Sequence, residues 1–293
     1  MFFDEEAVQE VEEVDVVFGI YVVAYLDIMG FKNLIMDAEK GDDEGALARK
    51  DLGALIQVIN QHIGKDNLSI ASQVPTDMHP KYFFASDSLL LIAPRDVNGY
   101  HGLVVLTIKA IQICHKLMEL GFLVRGALAC GNLFLHKGNV FGSALIEAAK
   151  GELAATHPRV ILTESALQSY GSESHRGYPI KSYPLWIEDG KEIVIDTLRP
   201  EYVPAIHKYG GLEAAFATYR KHAIDNLKAL DPCGSPYAKW LWAARFYNAV
   251  LSRNNDINVQ AVALPRGVWR RVCCATGGMI HRAAKIWKLS KRN

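Results

Sequence analysis

The chain lacks a net charge. Its 32 Lys and Arg balance 32 Asp and Glu over 293 residues. A chain-wide basic surface, the electrostatic footprint of a nucleic-acid binder, is therefore absent, and no nucleic-acid partner is expected. Long apolar runs are missing as well. The longest, Val16–Leu26, stops at Asp27 and falls short of the ~20 residues a spanning helix needs. Cysteine is sparse. Cys114, Cys130, Cys233, Cys273 and Cys274 form no CxxC pair and have no HxxxH companion, so neither a zinc site nor a disulfide framework is indicated; reduced thiols in a cytoplasmic protein are expected. The acidic start carries the wrong charge for a secretory leader. No internal repeat and no low-complexity linker interrupts the sequence. With 50% hydrophobic and 22% charged residues, the composition supports a well-filled core.

Charge is scarce only in the sum. Seven acids and no base lie between Asp4 and Asp15, and eight Lys or Arg with no acid follow from Arg266 to the end. Both read as solvated termini. The basic tail also holds Trp269 and Trp287, which leaves open a helix that docks on a partner or on anionic lipid.

Between these ends the periodicities alternate. Residues 17–26 form a β-branched, aromatic strand, and 31–40 a short helix after Gly30. Apolar residues at helical spacing (Leu47, Leu52, Leu55, Ile56, Ile59, Ile63) predict a helix over 44–63, and 98–120 a second, ended by Gly121. Residues 81–94, "KYFFASDSLLLIAP", are two apolar runs about a turn that carries Asp87. A strand over 122–135, bulged at Gly126 or Gly131, precedes a turn at 136–139 and a helix over 140–155. A strand and helix over 159–170, an Asp-Gly hairpin over 185–198 and a helical stretch over 211–253 complete the pattern. The aromatic run 237–250 reads as a core helix. Strand, helix, hairpin, helix, strand is the split βαβ order. The expected class is α+β, a ferredoxin-like, palm-type antiparallel sheet with helices on one face and a helical C-terminal extension.

In "YVVAYLDIMGFK", residues 21–32, an acid closes an otherwise apolar strand. A carboxylate there needs a partner or a metal. The topology lays the first strand beside the hairpin, so Asp27 and Asp87 converge at one edge. Two carboxylates sharing a site repel unless a cation separates them, and oxygen donors suit Mg²⁺ or Mn²⁺. Gly30 lets the backbone approach a ligand, and the helix start after it offers N–H groups to a polyphosphate. The spacing equally admits a plainer reading, with Asp27 as a helix N-cap and Asp87 as a turn residue.

Four segments resemble the class III nucleotidyl cyclases. "LDIMGFKNLI" looks like their first metal motif and "FFASDSLLLI" like the second. "VRGALACGNLF" followed by "NVFGSALIEAAKGE" resembles their strand and dimer-arm segment, and "VILTESAL" the next strand and helix. The likeness covers roughly residues 20–170. It implies a catalytic domain over 17–200, behind an acidic segment 1–16 and ahead of a helical extension 201–265 and the basic tail 266–293. It also implies a homodimer with active sites at the interface and two divalent ions, Mn²⁺ or Mg²⁺, in each, held by Asp27, Asp87 and the Ile28 carbonyl. Ile28, Met29, Gly30 and Phe31 would cradle the phosphates of a nucleoside triphosphate. The ribose 3′-hydroxyl would attack the α-phosphate and expel pyrophosphate.

The departures from the family pattern are informative. Where purine-selective members place a Lys that reads the base, this chain has Phe83, or its neighbour Tyr82. The second base-reading position falls on Ser143. The transition-state Asn and Arg fall on Ile146 and Lys150, and Lys150 lacks the bidentate fork of an Arg. Arg125 is a candidate replacement cation. An aromatic in the base pocket narrows it toward a smaller base. "RGALACG" and "FFASD" look most like the bacterial pyrimidine cyclases of Pycsar antiphage systems. That likeness implies a substrate of UTP, or CTP, and a cyclic UMP or cyclic CMP product read by a cyclic-nucleotide-sensing effector. The alternatives are an adenylate or guanylate cyclase with atypical base recognition and a cyclase-shaped nucleotide-binding module without catalysis.

Overall fold

A computed structural model describes residues 15–63, 74–171, 186–189, 192–203 and 211–265. The basic tail and nearly all of the acidic segment lie outside the described residues, as do residues 190–191 at the expected Asp-Gly turn.

The core is a sheet. Its strands are β1 (Gly19–Met29), β2 (Lys81–Ala85), β3 (Ser88–Pro94), β6 (Leu123–His136), β7 (Asn139–Phe141), β8 (Val160–Leu162), β9 (Trp186–Asp189) and β10 (Glu192–Ile195). Two further short strands, β4 (Asp96–Val97) and β5 (Tyr100–His101), pair only with each other. The order across the sheet is β2-β3-β1-β6-β8-β10-β9, with β7 folded back on β6. All pairings are antiparallel except β6 with β8. The expected α+β class and split βαβ order are both present.

Alternation along β1 sorts the two faces. Val22, Ala24, Leu26 and Ile28 enter one core with Leu89, Leu91 and Ala93 of β3. The helices α2 (Asp43–Ile63), α3 (Gly102–Glu119) and α5 (Glu164–Gly171) send Leu55, Leu106 and Ala166 into it. Val23, Leu90, Ile92, Ala129 and Leu133 point the other way and are covered by Ala144 and Ala148 of α4 (Ser143–Ala154). Helices thus flank the expected one face, and α4 adds a layer on the opposite one. Each fully buried Leu or Ile contributes ~1.5–3 kcal/mol.

Several boundaries move for physical reasons. The first strand runs on to Met29 rather than stopping at 26, because Asp27, Ile28 and Met29 still pair with Arg125, Val124 and Leu123. The expected bulge in β6 is absent: its register with β1 is unbroken from Leu133 to Leu123. Gly126 answers a close approach instead, since a Cβ there would lie 2.3 Å from the Tyr25 carbonyl oxygen. The helix expected from residue 98 begins at Gly102, because Asn98 and Gly99, at φ 50° and 79°, make a hairpin turn between β4 and β5.

Two more helices, α6 (Leu212–Ala229) and α7 (Ser235–Arg253), build a second core with Phe216, Tyr219, Trp240 and Tyr247. They dock on α3 through Met118 and on the β1/β6 end through Met29 and Leu123. Sandwiched between sheet and extension, α3 is buried almost all round, its Lys109, Gln112, His115 and Lys116 included.

Candidate functional site

The site lies where β1, β6 and the β2–β3 turn end together. Asp27 stands opposite Ser88 on one side and Arg125 on the other. The Ile28 N–H donates to the Asp87 carbonyl at 2.9 Å, so the two acids are carried by backbones that touch. Both also face the same way. Asp27 shares the β1 face of Val23 and Tyr25. Tyr25 Oη donates to Ser88 Oγ at 3.0 Å, and Ser88 Oγ lies 3.5 Å from Asp87 Oδ1. Asp87 occupies the expected turn, beside Ser86 at φ 59°. Asp27 is no helix cap: it sits inside the strand, and the N-cap of α1 (Phe31–Ala38) is Gly30.

Arg125 is the compensating charge that the sequence asked for. Its Nε donates to Asp27 Oδ2 at 2.8 Å and lies 2.7 Å from Glu152 Oε1. Glu152 went unrecognised in the sequence. It sits in the last turn of α4, on the sheet side, 4% exposed. The neighbouring Gly151 puts it there. A Cβ at 151 would fall 2.5 Å from the Ala127 Cβ, so only glycine lets α4 rest directly on β6 beside Arg125. A glycine inside a helix costs ~1 kcal/mol against Ala, and "AKGE" is the signal that could have found the contact. Burial pushes the Glu152 carboxyl above the ordinary range; Arg125 opposes the shift, while Asp27 and Asp87 add to it. All four charges therefore share one neighbourhood.

At the β1–α1 turn, Gly30 is left-handed at φ 90° with nothing within 4 Å of a would-be Cβ. No side chain caps the helix start, so its first N–H groups are suited to an anion. Ile28 and Phe31 bury their side chains, Phe31 edge-on against Phe84. They present backbone alone. Met29 packs toward the α6–α7 core.

Phe83 packs on the face shared by Asp27, beside Leu90 and Ile92. Tyr82 points into the opposite core, its hydroxyl buried without a hydrogen bond and its pKa raised by burial. Of the two, only Phe83 is on the side of the site. Ser143, Ile146 and Lys150 are exposed on α4. Two residues turn a helix by ~200°, so Lys150 looks outward where Glu152 looks in. Within one chain these three do not meet Asp27.

Among the described residues, no group of three or more His, Cys, Asp or Glu converges as a metal cage. The donors at this edge are two carboxylates and a backbone carbonyl. Oxygen donors of this kind, completed by phosphate and water, fit Mg²⁺ or Mn²⁺. One further observation agrees with the fit. Asp27 already holds a cation, the guanidinium, and the buried Glu152 Oε1 has no hydrogen bond, so a second seat for that guanidinium exists. No described helix is long and apolar enough to cross a membrane.

No protein-family model and no curated protein matches the chain. Solved structures do. A guanylyl cyclase, Cya2, is 9% identical, with 62% of this chain and 93% of that one covered at a TM-score of 0.37. An adenylate/guanylate cyclase/hydrolase from Silicibacter pomeroyi is 14% identical, with 62% and 96% covered, also at 0.37. A class III adenylyl cyclase-like ATP-binding protein from Pseudomonas aeruginosa is 13% identical, with 52% and 35% covered, at 0.35. At such scores the superpositions are too loose to carry an argument, and the fold rests on the pairings of this chain's own strands.

Proposed function

We propose that the chain is a nucleotidyl cyclase and that its substrate is a pyrimidine nucleoside triphosphate, UTP ahead of CTP. The observation that carries the reading is the joining of Asp27 to the Asp87 turn by the Ile28–Asp87 hydrogen bond, with Arg125 on the same edge. These are the residues of the two motif segments and the following strand, brought together from positions 60 and 98 apart in the chain.

Asp27, Asp87 and the Ile28 carbonyl would hold two divalent ions, whose chemistry when bound is to acidify the ribose 3′-hydroxyl and neutralise phosphate charge. The backbone of Gly30 and the start of α1 receive the phosphates. Arg125 adds fixed positive charge where negative charge grows as pyrophosphate leaves. Phe83 supplies an apolar wall on the base side, which suits a small pyrimidine ring. Ser143 and Lys150 reach a substrate only if the outward face of α4 meets a second copy of the chain. The homodimer with shared sites thus belongs to the proposal, as do the catalytic unit over 17–200, the cytoplasmic location and an effector that senses the cyclic product in antiviral defence.

One observation favours a second reading, nucleotide binding without catalysis. The outward positions of α4 hold an apolar Ile146, 57% exposed, and Lys150 without an ion pair among the described residues. One assay separates the readings. The purified protein is incubated with each of the four ribonucleoside triphosphates and Mn²⁺, and products are identified by mass. A single cyclic pyrimidine nucleotide is expected. A cyclic purine would establish the atypical adenylate or guanylate cyclase instead, and no product would leave the binding module.

A further inference from the structure

Arg125 has two carboxylates competing for one hydrogen. Its Nε carries a single N–H, and that hydrogen is donated to Asp27 Oδ2. Glu152 Oε1 lies as close to the same nitrogen, at 2.7 Å, yet receives no hydrogen bond from it or from any other group. The side chain is only 6% exposed, away from bulk solvent. Buried acceptors are nearly always satisfied, and one left over calls for an explanation. The arrangement is built rather than incidental, because the Gly151–Ala127 approach is what seats Glu152 there.

We infer that Glu152 is a positioning residue for Arg125: the second acceptor, to which the Nε–H passes when Asp27 turns its carboxylate to a divalent cation. The inference rests on the reading of Asp27 as a cation ligand. No covalent bond changes; one hydrogen bond is exchanged for another. In the structure Arg125 holds Asp27 Oδ2, and a cation that takes that oxygen has to displace it. With Glu152 in place the guanidinium shifts by one acceptor and remains at the site, its other nitrogens free to turn to phosphate. Without Glu152, Arg125 stays on Asp27 and competes with the cation, or leaves the edge for solvent.

The test is Mn²⁺ binding to the nucleotide-free protein, followed by calorimetry, with steady-state kinetics alongside. Glu152→Gln keeps the size and an acceptor oxygen but removes the charge. Outer residues that orient a metal ligand set typically matter by 10–100-fold in affinity, so this variant is expected to bind Mn²⁺ about 10-fold more weakly. In kinetics it should raise KM for nucleotide more than it lowers kcat. Glu152→Asp, which restores the charge one methylene short, should recover part of the loss. In an Arg125→Ala background, Glu152→Gln should have no further effect on Mn²⁺, because the group it positions is gone. The same loss with and without Arg125, or unchanged Mn²⁺ affinity in Glu152→Gln, overturns the inference. Asp27→Asn in the same titration reports on the underlying reading separately. If it binds Mn²⁺ as the parent does, Asp27 is not a cation ligand, whatever Glu152 does.

Discussion

Two buried polar side chains, His115 and Glu152, sit on opposite sides of the sheet and are treated differently by their surroundings. His115, wholly buried on α3, has both ring nitrogens engaged. Nε2 lies 2.9 Å from the Arg199 carbonyl, which can only accept, so Nε2 carries the hydrogen. Nδ1 then accepts from the Tyr219 hydroxyl, also at 2.9 Å. Every donor has an acceptor, and the knot ties α3 to α6 and to the segment after β10. Glu152, almost as deeply buried, keeps an oxygen with no donor. A fully satisfied polar network rigidifies the elements it joins, whereas an acceptor left without a donor in a low dielectric is costly. Tyr82 and Gln112 also keep unpaired buried atoms; what sets Glu152 apart is that its unpaired oxygen lies against the Arg125–Asp27 pair.

The comparison can be broken from either side. Among His115, Glu152 and their partners, the largest effect is expected at Arg125. Arg125→Ala should reduce kcat/KM for the accepted nucleotide, per folded molecule, by ~10²-fold or more, the range for loss of one charge-stabilising donor, and should also lower thermal stability, because Asp27 and Glu152 lose their shared counter-charge. A loss below about three-fold would place Arg125 among the structural charges. Next comes His115→Ala. It leaves a cavity and an unsatisfied Tyr219 hydroxyl and should cost ~3 kcal/mol in chemical denaturation, with kcat per folded molecule unchanged. If kcat falls instead, the extension is coupled to the site.

The pH dependence of stability sharpens the same point. Burial lowers the His115 pKa to about 4; the Arg199 carbonyl opposes the shift and Lys116 adds to it. The unfolded chain, with an ordinary pKa of 6.5, binds the proton that the folded chain refuses. Stability from this group is therefore full above pH 6.5, falls as pH drops toward 4, and is flat below. The whole window is worth ~3 kcal/mol. Urea midpoints at pH 7 and pH 4.5 should differ less in a folded His115→Phe variant. Equal slopes in the two proteins would refute the assignment to His115.

The smallest effects belong to the glycines. Gly151→Ala, which drives a Cβ against Ala127, should cost ~1–3 kcal/mol by overpacking and disturb nucleotide KM through Glu152. Gly30→Ala pays ~1–2 kcal/mol for a left-handed residue with a Cβ and should raise KM with kcat nearly kept. Each is read from a melting curve and a substrate titration. A Gly151→Ala protein with parental stability would mean that α4 is not held by that approach.

Much of this was legible from residue order. Apolar, β-branched and aromatic runs announced β1, β3 and β6, and the interruption of an apolar strand by Asp27 announced the edge where the acids meet. Asp87 was read correctly as a turn residue beside it. Arg125 was visible as a cation next to a glycine in a strand, although its pairing with Asp27 is a matter of register, which a single strand does not display. Glu152 was hidden, because an acid near a helix end looks solvated until the sheet beneath it is known. The layer formed by α4 on the second face was hidden for the same reason: its Ala144 and Ala148 are too small to mark a buried stripe. The Asn98–Gly99 turn was overlooked although its dipeptide is a strong hairpin signal, since the helical spacing just after it dominated the window. Phe83 and Tyr82 stayed equivalent in sequence and were separated only by strand parity.

The most direct measurement is cyclic-nucleotide formation by Asp27→Ala and Asp87→Ala proteins beside the parent, with Mn²⁺ and the accepted triphosphate, after circular dichroism has shown all three folded. Loss of product by at least about 10³-fold in both variants is the expected result, since on the proposed reading each would remove a ligand of the divalent ions that acidify the 3′-hydroxyl. A folded variant of either aspartate that keeps a third or more of the parental rate would contradict the account.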